Sequence, residues 1–251
     1  MSYSIESITE SIGARRMGNA PATIDWLLTD SRSLNFPEET LFFALTTKRN
    51  DGARYIADLY ARGVRNFVLS EESFRLMDNG QLTIDNAMQR DDAQSIVNYL
   101  IVPNPLKALQ KLAEQHRNRF QIPVIGITGS NGKTVVKEWL HQLLSPERAI
   151  IRSPRSYNSQ IGVPLSVWQM NEQSELAIFE AGISEPGEMR ALQNIIKPTI
   201  GILTNIGGAH QENFFSLQEK CMEKLMLFKN CDVVIYNGDD EFVSNCVAKS
   251  M

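Results

Sequence analysis

The sequence predicts an α/β protein: a small mixed α/β amino-terminal domain, then a mostly parallel sheet of the phosphate-loop type with helices on both faces. Three observations carry this. From Leu106 onward short apolar runs alternate with helical patterns, and such alternation builds a parallel sheet covered on both sides. The run Pro123 to Ile127 leads directly into a glycine-rich turn and then a helical pattern. Before Pro103 the texture is different, with brief apolar runs broken by turns.

Taken in order, Thr40 to Leu45 and Asn66 to Leu69 read as strands, and Ala53 to Arg62 between them has helical spacing with Tyr55, Ile56, Leu59 and Tyr60 on one side. Val102-Pro103-Asn104-Pro105 reads as a hinge, because each proline disfavours helix in the residue before it. The expected domains are therefore 1–103 and 104–251. In the second, a helix is expected from Leu106 to Arg119, a strand into the glycine turn, and a helix from Thr134 to Leu144. Further strands are expected at Ala149 to Arg152, Leu176 to Ala181, Ile200 to Asn205 and Val233 to Tyr236, with helices at Glu188 to Ile196 and Ser216 to Phe228. In such sheets ligands bind at the carboxyl ends of the strands.

Bulk properties narrow the function. A chain of 251 residues, 43% hydrophobic and 22% charged, can bury two cores of ordinary size. A net charge of −4 gives no strong pull toward nucleic acid or anionic lipid, so no nucleic-acid partner is expected. No apolar run approaches membrane-crossing length, so no membrane insertion is expected. The opening Met-Ser-Tyr-Ser-Ile-Glu lacks a secretory pattern, and Cys221, Cys231 and Cys246 lack metal-like spacing. They read as reduced thiols of a cytoplasmic protein.

The chemistry is concentrated in Ile125-Gly126-Ile127-Thr128-Gly129-Ser130-Asn131-Gly132-Lys133-Thr134. Small residues leave the turn's N–H groups unshielded, and the helix that follows adds the positive end of its dipole. Gly129 to Thr134 therefore form a candidate ATP cradle, in which Lys133 reaches the outer phosphates and the Thr134 hydroxyl suits Mg2+. The strict spacing would require glycine where Ile127 stands. Two strands end in further candidates. Leu176 to Phe179 ends in Glu180, a carboxylate that a cation would make less costly to bury, and Ile202 to Ile206 ends in Gly207-Gly208-Ala209-His210. His116 and His141 read as ordinary partly exposed helix residues, and Lys220, Lys224 and Lys229 as a set normally found on a solvated face.

These residues together resemble the Mur ligase family. Gly126 to Thr134 resembles its ATP loop, Gly-x-x-Gly-Lys-Thr/Ser, which accounts for the departure at Ile127. Asn158-Ser-Gln-Ile-Gly-Val-Pro-Leu165 and Glu180-Ala-Gly-Ile-Ser-Glu-Pro-Gly-Glu188 are similar to segments of the branch that adds D-alanyl-D-alanine. Asn205-Ile-Gly-Gly-Ala-His210 fits the family's Asn-x-x-x-Ala-His. Thr29-Asp30-Ser31-Arg32 with Asn50-Asp51-Gly52 resembles its uridine-nucleotide domain.

The resemblance implies ATP-dependent joining of D-alanyl-D-alanine to UDP-N-acetylmuramoyl-tripeptide through an acyl phosphate, in peptidoglycan precursor synthesis. It implies Mg2+ held by Thr134 and Glu180, and a second Mg2+ helped by His210 and by Lys224 as a carbamate. Lys133, Glu180, His210 and Lys224 would be catalytic, Asn158 would contact phosphates or substrate, and Ser31 and Arg32 would take the UDP moiety. Family members have a third, carboxyl-terminal domain and, separately, a His-Asn-x-x-Asn segment near the adenine; this sequence lacks both. The expectation is an amino-terminal piece of a longer polypeptide, inactive alone; in some bacteria such a ligase is the front half of a fusion with alanine racemase. Three other readings stay open: a family member that adds a single amino acid, a non-catalytic nucleotide-binding module, and a simple phosphate-loop phosphotransferase.

Overall fold

The computed structural model describes residues 1–47, 50–78, 96–208 and 213–250. The chain divides into two compact units, Met1–Leu112 and Ala113–Met251, and the division falls within a helix, Pro105–Arg117.

The first unit holds strands β1 (Tyr3–Ser4), β2 (Arg15–Met17), β3 (Thr23–Ile24), β4 (Trp26–Leu28), β5 (Thr40–Phe43), β6 (Thr46–Thr47), β7 (Asn50–Asp51), β8 (Asn66–Ser70) and β9 (Asn98–Val102). Its helices are α1 (Ile5–Ile12), α2 (Ile56–Ala61) and α3 (Glu71–Asp78). The main sheet runs β2-β9-β8-β5-β4, parallel from β9 to β4, with β2 antiparallel at the edge. The interior strand β5 is buried along its whole length, as expected for a parallel strand covered on both faces. Helix α1 is built from local signals. Ser4 accepts a hydrogen bond from the Ser7 N–H at the amino end, Gly13 closes the carboxyl end at φ 69°, and Ile5, Ile8 and Ile12 fall on one buried face. The expected helix at Ala53 to Arg62 splits into a 3-10 turn, Gly52–Tyr55, and α2; Ile56 and Leu59 are buried, whereas Tyr55 is exposed.

The helix α4 (Pro105–Arg117) leads to the second unit. There the order is β10 (Val124–Thr128), α5 (Lys133–Leu144), β11 (Ile150–Arg152), α6 (Gly162–Val167), β12 (Leu176–Glu180), α7 (Glu188–Ile196), β13 (Ile200–Leu203), α8 (Leu217–Leu225), β14 (Val233–Ile235) and α9 (Glu241–Ser250). The five strands run β11-β12-β10-β13-β14 and every pairing is parallel. The expected α/β class and the parallel sheet are both present. Several boundaries move inward by one to three residues, two helices begin one residue early, at Pro105 and Lys133, and Met226–Phe228 is a separate 3-10 turn.

Strand parity decides which way the site faces. Ile125 and Ile127 of β10, with Leu176 and Ile178 of β12, pack against Val136, Leu140 and Leu144 of α5. Val124, Ala177, Phe179 and Leu203 point to the other face, into a core with α6, α7, α8 and α9. Successive side chains alternate, so Glu180, two residues after Ile178, lies on the α5 face beside Ile127. Gly126 and Gly201 are paired in register on the other face, where a Cβ at Gly201 would stand 2.4 Å from the Phe228 ring. The absence of side chains there lets the Met226–Phe228 turn lie directly on the sheet.

Candidate functional site

The glycine turn leaves the carboxyl end of β10, the central strand, between β12 and β13. Chain connections diverge to either side at this point, which leaves a crevice. Gly129 has φ 142° and a Cβ there would meet Thr204 Oγ1 at 2.0 Å, so only glycine fits. The turn is fastened to the end of β13. The Ser130 N–H donates to the Asn205 carbonyl at 2.9 Å, the Asn131 N–H to Asn205 Oδ1 at 2.9 Å, and Thr204 Oγ1 to the Asn131 carbonyl at 2.6 Å. The Gly207 N–H donates to Ser130 Oγ at 2.8 Å. Gly132, at φ 80°, starts α5 without a capping side chain.

Gly129, Ser130, Lys133, Asn158, Ser159, Gly182, Ile183, Ser184 and Lys224 line one cavity of about 120 Å³. Lys133 Nζ donates to the Gly129 carbonyl at 2.9 Å, and Lys224 Nζ donates to the same carbonyl at 3.2 Å. Lys220 Nζ donates to the Gly207 carbonyl at 2.5 Å. Burial lowers the Lys133 pKa against the pull of Glu180, with Lys220 adding repulsion. Burial first, then the Lys133 and Lys220 ammoniums, bring Lys224 down to about 8. The expectation of a solvated lysine face is corrected for two of its members. Lys220 and Lys224 are buried because α8 turns them toward the glycine turn, and only Lys229 is exposed. Three ammoniums beside the amino-terminal end of α5 make a cradle suited to a polyanion.

Glu180 stands against α5, wholly buried. Thr134 Oγ1 donates to Glu180 Oε2 at 3.1 Å, and Asn158 Nδ2 donates to the same oxygen at 3.4 Å. Thr134 Oγ1 also lies 3.2 Å from Ser156 Oγ. Glu180 Oε1 makes no hydrogen bond, although it lies 3.0 Å from Lys137 Nζ, which donates to two backbone carbonyls. A buried carboxylate with acceptor capacity left, next to a hydroxyl and an amide, matches the oxygen-donor preference of Mg2+. Among the described residues no three His, Cys, Asp or Glu side chains gather into a site of their own, so such an ion would depend on phosphate oxygens for further ligands.

The structure thus brings Lys133, Thr134, Glu180, Asn158 and Lys224 together; His210 lies outside the described residues. Sequence reasoning missed Lys137, Ser156, Thr204 and Asn205. Lys137 gave one signal: it lies three residues after Thr134, one helical turn away on the same face. His116, expected to be partly exposed, is buried between Phe120 and Trp168, with Nε2 3.0 Å from the Met170 carbonyl.

Ser31 and Arg32 belong to the first unit, in the 3-10 turn Ser31–Ser33 after β4, at the carboxyl edge of that unit's parallel strands. Asp30 Oδ2 accepts from the Arg32 guanidinium at 2.6 Å, which lowers the Asp30 pKa. The Ser31 carbonyl accepts from Arg62 at 2.8 Å. On the same edge, Asp51 caps the Ala53 N–H at 2.9 Å and accepts from Ser73 Oγ at 3.2 Å, joining the loops after β5 and β8.

Comparisons with known proteins bear on the family and the fold. A family model for the Mur ligase middle domain matches residues 127–250. The chain is 32% identical over 227 residues to UDP-N-acetylmuramoyl-tripeptide–D-alanyl-D-alanine ligase of Borreliella burgdorferi, covering 89% of this chain and 47% of that protein. It is 34% identical over 212 residues to the ligase of the same name from Rickettsia prowazekii, covering 83% and 42%. The fold matches a crystal structure of MurF from Acinetobacter baumannii with TM-score 0.83 at 23% identity, over 100% of this chain and 52% of that one. It matches MurF ligase from Thermotoga maritima, solved in complex with ADP, with TM-score 0.71 at 25% identity, over 89% and 48%. The chain spans about half the length of the curated relatives it matches. No helix among the described residues is long and apolar enough to cross a membrane.

Proposed function

Because the chain belongs to the Mur ligase family, we propose that it supplies the ATP site and the uridine-nucleotide site of an amide-forming ligase that joins D-alanyl-D-alanine to UDP-N-acetylmuramoyl-tripeptide. The observation that carries the proposal is a cavity at the carboxyl end of β10 lined by Lys133, Asn158 and Lys224, with Glu180 behind it, bonded to Asn158 and Thr134. A phosphotransferase needs the lysine, the threonine and a strand-end carboxylate, but it does not need Asn158 and a second buried lysine beside them.

In this reading the substrate carboxylate attacks the γ-phosphorus of ATP, ADP leaves, and the dipeptide amine displaces phosphate from the acyl carbon with loss of a proton. The chain's part is positioning and charge neutralisation. Lys133 and the first N–H groups of α5 hold the phosphates. Thr134 and Glu180 would hold Mg2+, which neutralises charge on the transferring phosphoryl group. Asn158, donating to Glu180 from the cavity wall, orients that carboxylate and can reach substrate. Lys224 is proposed as the carbamate-bearing lysine: its depressed pKa leaves a share of neutral amine to react with carbon dioxide, giving an anion where a second cation would sit. His210 is proposed as a partner of that second cation. In the first unit, Ser31 and Arg32 are proposed to take the UDP moiety.

The test is to supply the whole polypeptide that carries this chain with ATP, Mg2+ and UDP-N-acetylmuramoyl-tripeptide, and to compare D-alanyl-D-alanine with single amino acids. ADP release and amide formation with the dipeptide are expected. Turnover with a single amino acid instead would assign the chain to another branch of the family. ATP hydrolysis indifferent to the uridine substrate would favour the simple phosphotransferase.

A further inference from the structure

One buried charge has no part in the function so far. Lys137, on α5, is among the largest fully buried side chains of the chain. An ammonium removed from water needs partners for its charge and for its protons. Lys137 Nζ finds them in three elements. It donates to the carbonyls of Ser153 and Arg155, in the loop after β11, and stands 3.0 Å from Glu180 Oε1 at the end of β12 and 3.2 Å from Glu138 Oε1 on its own helix. The Arg155 backbone is left-handed, at φ 48°, a conformation few non-glycine residues adopt. Arg155 directs a carbonyl at this lysine rather than along a regular strand or helix. The same loop carries Ser156, which meets Thr134, and Asn158, which donates to Glu180.

We infer that Lys137 is the positioning residue of the cation site, an inference that rests on the metal role proposed for Thr134 and Glu180. Its ammonium stands beside one carboxylate oxygen of Glu180 while the other faces Thr134 and Asn158. Its two carbonyl bonds fasten the 153–158 loop to the helix that begins at the phosphate turn. It touches neither phosphate nor cation. Its effect runs through Glu180, so it acts on metal-assisted nucleotide binding and leaves the grip of Lys133 and the first N–H groups of α5 largely unchanged.

The experiment measures ATP affinity of the chain by calorimetry in Mg2+ and in EDTA. The ratio of the two affinities is the enhancement due to metal. Removing a partner that orients a metal ligand costs on the order of tenfold to a hundredfold in metal affinity, so Lys137→Met is expected to lower that ratio at least ~10-fold, while metal-free ATP affinity moves less than ~3-fold. Lys137→Arg, which keeps the charge, is expected to recover most of the ratio. Equal loss with and without metal in Lys137→Met would mark a merely structural lysine and overturn the inference, as would an unchanged ratio. The double variant Lys137→Met with Glu180→Gln removes both charges of the pair, so it avoids a stranded buried charge and stays informative if the single variant does not fold. It is expected to match Glu180→Gln alone, and a further loss of the ratio would overturn the inference. A wild-type chain whose ATP affinity ignores Mg2+ would instead overturn the metal role of Glu180 itself.

Discussion

Gly129 and Gly132 are glycines of the same turn held by different constraints. At Gly129 an added Cβ would stand 2.0 Å from Thr204 Oγ1 and 3.0 Å from the Asn205 carbonyl, so the turn would have to part from the end of β13. At Gly132 the nearest atom would be Thr204 Cβ at 4.0 Å, leaving only the left-handed backbone at φ 80° as an obstacle. Gly129→Ala should destabilise the second unit by more than ~2 kcal/mol, overpacking and backbone strain acting together, and abolish ATP binding. Gly132→Ala should cost about 1 kcal/mol and leave measurable affinity. Urea denaturation and nucleotide titration of both variants check this. Equal penalties would mean that packing against β13 is not what fixes Gly129. The same contrast explains what the sequence could convey: three glycines mark a turn, but which one is irreplaceable depends on Thr204 and Asn205, which arrive from a distant strand.

Helix α4 carries the clearest pH dependence. Burial lowers the His116 pKa to about 4, opposed by its bond to the Met170 carbonyl. That partner can only accept, so Nε2 carries the proton of the neutral ring. A folded pKa below the unfolded value means that the unfolded chain binds more protons between them. The stabilisation is therefore complete above pH 6.5 and disappears as the pH falls toward 4. A shift of this size corresponds to about 3 kcal/mol. Thermal unfolding between pH 7 and pH 4 should show the loss, and His116→Gln, which keeps an N–H donor, should flatten the curve. A slope that survives the substitution would place the acid sensitivity elsewhere. Helical spacing alone leaves this histidine partly exposed because it says nothing about what lies opposite; Trp168 and Met170 do the burying. Lys137 escaped the sequence for the same reason, since its burial depends on Glu180 at the end of β12. The strands of the second unit were legible because parallel strands covered on both faces are continuous apolar runs, as in Leu176 to Phe179. The strands β1 to β4 were not, being only two or three residues long and too short to show a period.

At the scale of the whole chain, two compact units each present the carboxyl edge of a parallel sheet, and each edge carries a cation proposed to meet a phosphorylated ligand. In the second unit the cations are buried lysines around the glycine turn. In the first the candidate is Arg32, whose side chain is 87% exposed and paired with Asp30 at 2.6 Å. An exposed pair of this kind is worth about 0–1 kcal/mol, so exchanging Asp30 for a diphosphate would cost little, and the planar fork suits a diphosphate. Charge-assisted bonds to a phosphate contribute on the order of 1.5–3 kcal/mol, or roughly 10- to 100-fold in affinity. Arg32→Ala should therefore weaken binding of UDP-N-acetylmuramoyl-tripeptide by at least ~10-fold and leave Mg-ATP affinity within ~2-fold. Lys133→Ala should do the reverse. Calorimetric titration of each ligand into each variant separates the two edges. If Arg32→Ala leaves the uridine nucleotide unaffected, the Asp30–Arg32 pair is a surface turn, and the first unit must bind its ligand elsewhere, with the Asp51–Ser73 junction between the loops after β5 and β8 the next place to look.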